Sequence, residues 1–183
     1  YQAADPTDSR WVYNTLQFGG HVRTDREAAT MTGIEPERPE GETPYRFTWT
    51  TPIVLSPHDP KTLYTGAQVV LRSPDRGETW YELSGDLTTN DPDKIDGAGN
   101  IQYCTITTLN ESPAVRGVIW AGTDDGRVHV TRNDGERWTD VTGALVDAGF
   151  PADYWVTRVV PSHHNAGTAF VTVTGFHRDA MRV

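Results

Sequence analysis

Apolar and polar side chains alternate in short runs along the chain, and each run is closed by a cluster of Gly, Pro, Asn, Asp or Ser. Val, Ile, Thr, Tyr and Trp dominate these runs, as at 49–55, 62–65, 69–72 and 79–83. No window places apolar residues at i, i+3, i+4 and i+7, apart from a weak stretch at 145–150 that Gly149 and Pro151 cut short. The pattern predicts an all-β chain of hairpins and meanders.

The same pattern repeats. PIVLSPHDPKTLYTGAQVVLRSPDRGETWYELS from Pro52 aligns with ITTLNESPAVRGVIWAGTDDGRVHVTRNDGERWTDVT from Ile106. VTRVVPSHHNAGTAFVTVTG from Val156 repeats the first part of the unit, and DPTDSRWVYNTLQFGGHVRTD from Asp5 fits its middle. With the second-strand aromatic as marker, Tyr13, Tyr64, Trp120 and Phe170 mark a period of about fifty residues. Each unit divides into four strands, near 49–55, 61–66, 69–73 and 79–84 in one copy and 102–109, 117–122, 127–131 and 137–141 in the next. Four short antiparallel strands per repeat of this length predict β-propeller blades. The expected boundaries are a partial blade at 1–35, whole blades at 46–86 and 100–143, and a partial blade at 153–183. The first unit is expected to lack its opening strand and the fourth its close. Blades bury their faces against neighbours, so the four units either close as a small four-bladed ring or belong to a larger propeller, and the second is favoured because the first unit already has a second strand and the last repeats it.

The turn after the third strand carries the most specific motif. Ser73 to Trp80 reads SPDRGETW and fits the Asp-box pattern at every position, with Ser73, Asp75, Gly77, Thr79 and Trp80. Asp75 suits a carboxylate that accepts backbone N–H groups of its own turn, Gly77 a positive φ, and Trp80 a ring laid over the hairpin. TRNDGERW keeps Thr131, Gly135 and Trp138, with Asn133 in place of Asp and Arg137 in place of Thr. RTDREAAT at 23–30 is a degenerate relative without the Gly. On these residues the chain resembles the Asp-box (bacterial neuraminidase) repeat proteins, a group with sialidases, xyloglucanases and sortilin receptors among its members. TTPIVLSPHDPKTLYTG, NIQYCTITTLNESP and VIWAGTDDGRVHVTRNDG look like large bacterial proteins of the sortilin-like or glycosyl hydrolase repeat type. The resemblance implies a secreted, periplasmic or cell-envelope location and a propeller with further blades.

Composition narrows the partners. The 183 residues carry 16 Lys+Arg against 25 Asp+Glu, a net charge of −9, which argues against nucleic acid. Mean hydropathy is −0.55 and no apolar run is long enough for a membrane span. The sequence starts at Tyr1 with neither an initiator Met nor a basic-then-apolar leader. One Cys, Cys104, excludes an internal disulfide and reads as a small buried apolar residue rather than a nucleophile. No cofactor and no metal site are expected.

Propeller geometry sorts the remaining candidates by face. His58, His163 and His164 fall in first-to-second strand turns on the Asp-box face and read as turn residues rather than metal ligands, while His21, His129 and His177 occupy third-strand regions. On the opposite face Asp91, Asp93 and Asp96 lie in a link spaced almost like a calcium loop, but one residue out of register and without a closing Glu, so a solvated Asx-rich loop is favoured. Asp124 and Asp125 sit in a tight TDDG turn, where Gly126 suits a type I turn with a bulge and a structural role is favoured. Either of them with Asp153 is the one pair available for acid and base catalysis in a glycosidase. Arg46 and Arg158 read as structural salt-bridging arginines, without the full triad that holds a carboxylate in sialidases. Trp49, Tyr103 and Trp155 are expected at the starts of inner strands, as packing between blades or as a sugar-stacking platform. The leading functional expectation is a binding or scaffold module for a polysaccharide, a peptide or neighbouring blades. The second is a glycoside hydrolase of xyloglucanase or sialidase type.

Overall fold

A computed structural model of the chain describes residues 1–175, so His177 lies outside the described residues. Strands of two to seven residues have too little area to bury themselves within one sheet, and here they form small antiparallel meanders stacked face to face. β1 (Gln2–Ala4), β2 (Trp11–Thr15), β3 (His21–Asp25) and β4 (Thr30–Gly33) make the first sheet. β5 (Ile53–Leu55), β6 (Leu63–Gly66), β7 (Val70–Ser73) and β8 (Tyr81–Glu82) make the second. The third holds β9 (Ile106–Glu111), β10 (Ile119–Thr123), β11 (Val128–Thr131) and β12 (Trp138–Asp140), and β13 (Trp155–Pro161) pairs with β14 (Ala169–Thr174) in the fourth.

The all-β fold of four-stranded blades is present, with two differences from expectation. The first sheet does have an opening strand: β1 pairs with β2, Gln2 opposite Asn14 and Ala4 opposite Val12. Three residues, two of them alanine, are too few to show an alternation. Strands β5 and β9 also begin several residues later than the alternation suggested, which leaves Trp49 and Tyr103 in the links between sheets. Two short helices lie in links as well, α1 (Pro92–Asp96) and α2 (Thr142–Asp147). Asp91 caps α1 by accepting the Asp93 N–H, with Pro92 in the first turn where its missing N–H costs nothing.

The hydrophobic core is divided among the seams between sheets. Pairing registers place Tyr13, Tyr64 and Trp120 at one equivalent position of the second strand, opposite Ala3, Val54 and Asn110. Each ring is buried by the sheet that follows. Tyr13 packs with Ile53 and Leu63, Tyr64 with Ile106, Leu109 and Ile119, and Trp120 with Val156 and Val159. Polar groups close the same seams. His21 Nε2 meets Thr65 Oγ at 2.8 Å, His58 Nε2 donates to the Ser112 carbonyl at 2.9 Å, and Thr107 Oγ donates to the Val156 carbonyl at 2.6 Å. Buried Glu111 accepts from the Ser56 hydroxyl across the second seam and from the Gly117 N–H at 2.8 Å.

The first-to-second strand turn is the same device four times. The N–H groups of Asp5, Ser56, Ser112 and Ser162 donate to the carbonyls of Trp11, Thr62, Val118 and Thr168. A side-chain oxygen of each also accepts the N–H two residues on, at 2.8 to 3.2 Å. His163 and His164 are exposed members of this turn.

The turns after β7 and β11 share a second device. Asp75 Oδ1 accepts the Thr79 N–H at 2.9 Å and Oδ2 the Thr79 hydroxyl at 2.6 Å, while the Gly77 N–H donates to Ser73 Oγ at 2.8 Å. Burial opposes ionisation of Asp75, but the Thr79 and Ser73 hydrogen bonds outweigh it and hold its pKa below the ordinary carboxylate value. Asn133 repeats the pattern with one neutral oxygen, accepting from the Arg137 N–H at 3.1 Å and the Thr131 hydroxyl at 3.0 Å. Gly77 and Gly135 have φ near 93° and 90°. A Cβ on Gly77 would stand 2.6 Å from the Ile34 side chain of the preceding sheet, so this close approach also requires glycine. Trp80 and Trp138 then donate their indole N–H back to the carbonyls of Ile34 and Leu83, at 2.8 and 2.9 Å. At 23–30 the device is reduced. Asp25 accepts the N–H groups of Glu27 and Ala28, Arg10 clamps its carboxylate, and Ala29 takes the positive φ.

Replacing Asp75 with Ala is expected to lower unfolding stability by about 1–2 kcal/mol, and Asn133→Ala by about half as much, because a charged acceptor makes stronger hydrogen bonds than a neutral one. Denaturant unfolding of the two variants checks the ratio, and an equal loss would show that charge on Asp75 contributes nothing.

Candidate functional site

The links that precede the first strands meet at one end of the sheets and enclose a cleft of about 510 Å³. Trp49 comes from the link before β5, Tyr103 from the link before β9, and Trp155 opens β13, so three separate repeats supply its aromatic lining. The Tyr103 and Trp155 rings meet edge to face with centroids 6.4 Å apart, and the Tyr103 hydroxyl donates to the Asp124 carbonyl at 3.0 Å. Trp49 is exposed and meets Phe18 edge to face at 5.0 Å. Phe18 lies in a 3-10 turn (Gln17–Gly19) with φ 57°, a left-handed conformation that costs a bulky residue.

Thr48, Ile101, Asp93 and Lys94 also line the cleft. Thr48 is buried and its hydroxyl has no hydrogen-bond partner among the described residues. Asp93 and Lys94 arrive through α1, so the acidic link is a capped helix forming one wall rather than a solvated loop. The Asp-Pro pair at its start carried that signal, whereas nothing in the local pattern marks Thr48 or Ile101.

The aromatic candidates are brought together, and the carboxylate candidates are not. Asp124 is fully buried, accepting the Thr105 N–H at 2.9 Å and its hydroxyl at 2.6 Å. Asp125 is equally buried, accepting from the Thr89 N–H and hydroxyl, both at 2.6 Å, and from the Thr123 hydroxyl. These bonds tie the β10–β11 turn to the start of β9 and to the preceding link. Asp153 is exposed with φ 56°, and its backbone packs on Gly126 of that turn. A glycosidase pair needs both carboxyl groups open to one groove. Asp124 and Asp125 are enclosed within their turn, in keeping with the structural role favoured for them, and neither opens to a groove with Asp153.

The other candidates resolve in the same way. Arg46 is a structural arginine, bound to Asp86 at 2.8 Å and to the Cys104 carbonyl at 3.4 Å. Arg158 donates to the Tyr1 hydroxyl and lies 5.1 Å over that ring, a cation–π contact, with no ion pair to it among the described residues. Cys104 is buried, and burial pushes its thiol up to about 11. His21 is buried with its pKa pushed down to about 4 by burial; Nδ1 faces the Gly19 carbonyl at 2.5 Å, so it carries the proton of a neutral ring. His21 aligns in register with Val70 and Val128, and His129 lies one position further, on the other face of its strand. Among the described residues no group of three or more His, Cys, Asp or Glu is placed to hold a metal ion.

Burial pushes Asp124 up to about 7 despite the Thr105 hydrogen bonds, with the Asp125 charge adding to the rise. A folded pKa above the unfolded 3.8 means that stability is full at low pH and is lost as the pH climbs towards 7. Asn at this position keeps an acceptor for the Thr105 N–H and a donor for its hydroxyl without the charge. Asp124→Asn is therefore expected to raise the melting temperature over wild type by a margin that grows from pH 4 to pH 7 and is flat above. Thermal unfolding at several pH values checks this, and a uniform loss would show that the ionised carboxylate is the form Thr105 holds.

No protein-family model and no curated protein sequence matches the chain. Solved structures do match in fold. A GH74 enzyme from Niastella koreensis superposes with a TM-score of 0.63 at 16% identity, covering 94% of this chain and 25% of the enzyme. The GH74 xyloglucanase from Xanthomonas campestris gives 0.62 at 18% identity, with 94% and 26% covered. An auxiliary nutrient binding protein from Bacteroides thetaiotaomicron gives 0.56 at 10% identity, with 95% and 35% covered. The chain thus spans about a quarter of the length of these enzymes and shares the β-propeller fold with them.

Proposed function

We propose that the chain is the ligand-binding segment of an Asp-box propeller in a secreted or envelope protein, and that its cleft takes a polysaccharide. The carrying observation is the assembly of Trp49, Tyr103 and Trp155 from three repeats into one cleft, beside buried Thr48, whose hydroxyl has no partner among the described residues. Aromatic faces bind the apolar C–H faces of sugar rings, and a desolvated hydroxyl supplies a directional hydrogen bond. The fold shared with a nutrient binding protein and with GH74 enzymes supports this reading.

A glycoside hydrolase is the second reading, favoured by the fold shared with GH74 enzymes. It requires carboxylates beyond those of this cleft, where Asp93 is the one acidic residue among the described lining residues. Under that reading the second carboxylate comes from elsewhere in the protein.

Affinity electrophoresis and calorimetry against a panel of plant and bacterial polysaccharides test the proposal. Binding is expected to one polymer class, weakened at least about tenfold by Trp49→Ala and by Trp155→Ala, with Asp75→Ala leaving it unchanged. Retained affinity in both tryptophan variants would overturn the assignment of the cleft. Peptide binding without glycan binding would overturn the choice of ligand, and turnover lost in Asp93→Asn would establish the hydrolase.

A further inference from the structure

The second seam departs from the first where Thr62 takes the place of Trp11. Both residues stand two before the second-strand tyrosine, and their backbones are held alike: the Trp11 N–H donates to the Asp8 carbonyl at 3.1 Å and the Thr62 N–H to the Asp59 carbonyl at 2.9 Å. Their surroundings correspond as well. Arg23 lies opposite Tyr13 as Arg72 lies opposite Tyr64. From the following sheet come Arg76 in one seam and Asp134 in the other, both with left-handed φ, their N–H groups donating to the carbonyls of Lys61 and Gly117.

In the first seam the indole of Trp11 fills this place. The guanidinium carbons of Arg23 and Arg76 lie 5.4 and 5.5 Å from its ring centroid, while Arg23 also donates to the Arg76 carbonyl at 3.0 Å and pairs with Glu78 at 2.7 Å. The edge of the guanidinium goes to acceptors and its face to the ring. In the second seam Thr62 withdraws the ring, and a cavity of about 340 Å³ opens among Thr62, Tyr64, Arg72, Asp59, Arg116 and Asp134. Arg72 still gives its edge to Asp134, at 2.6 Å, but no ring lies over its face among the described residues. Largely exposed Arg116 adds a second guanidinium, 4.0 Å from Asp59.

We infer that this pocket, at the end of the sheets opposite the cleft, binds a planar aromatic ring of indole or phenol size, laid on the face of Arg72 as Trp11 lies on that of Arg23. The pocket shares no residue with the cleft and does not depend on what the cleft binds. Paired guanidinium and carboxylate groups make a poor wall for an aliphatic group, which offers them nothing in place of water, whereas a π face attracts the cation. Asp59 and Asp134 oppose an anionic ligand.

Saturation-transfer NMR on the whole protein tests the pocket with two probes. N-acetyltryptophanamide carries the flanking amides of a protein chain, and indole carries none. Transfer to the ring protons is expected with the wild type. Affinity is expected to fall at least about tenfold in Thr62→Trp, which supplies its own ring as Trp11 does, and in Arg72→Lys, which keeps a charge beside Asp134 but removes the planar face. Trp49→Ala, in the cleft, is expected to leave this affinity unchanged. Absence of transfer in the wild type, or full affinity in either folded pocket variant, would overturn the proposal, and a loss confined to Trp49→Ala would overturn it by placing the ring in the cleft. Tighter binding of N-acetyltryptophanamide than of indole assigns the occupant to a protein side chain, and the reverse to a free aromatic compound; either upholds the site. Should Thr62→Trp fail to fold, Arg72→Lys carries the same comparison.

Discussion

Everything in this chain depends on the fact that a four-stranded sheet of such short strands has two faces and no means of covering either. At each of the three seams one sheet passes a large ring forward and the next receives it, so the core is a series of seams rather than a centre. The seams determine where the links run, and the links run where the cleft is. Trp49, Tyr103 and Trp155 precede or open the first strands of three successive sheets, and stacking those sheets brings the three residues to one end. The aromatic cleft is thus a consequence of repetition, with the variation that suits it to a ligand confined to connecting segments.

The chain is strongly acidic, yet its enclosed carboxylates are satisfied largely by hydroxyl and backbone donors. Glu111 takes a serine, Asp124 a threonine with its own N–H, and Asp125 two threonines. Small hydroxyl donors fit tight turns where a lysine or arginine would not. The acidity is therefore spent mostly on turns and exposed links, and the cleft is left nearly balanced, with one aspartate and one lysine at α1.

What the sequence disclosed follows from the range of the interactions involved. The turns after β7 and β11 were legible because every hydrogen bond in SPDRGETW closes within a few residues, and the spacing of the second-strand aromatics disclosed the repeat. The opening strand β1 was not, since three residues cannot display a period. TDDG reads locally as an exposed tight turn, and only Thr89 and Thr105, far away in sequence, enclose Asp124 and Asp125. Likewise Thr48 became part of the site through the path of a link that no periodicity describes, and His21 was separated from His129 by a one-residue register difference visible only in the pairing.

Trp80 and Trp138 reach across their seams to main-chain carbonyls, those of Ile34 and Leu83. Every residue type carries that acceptor in the same place, so the preceding repeat can change any side chain around the contact and still be recognised. An attachment written in backbone atoms lets neighbouring repeats drift apart in sequence after duplication without first having to coevolve.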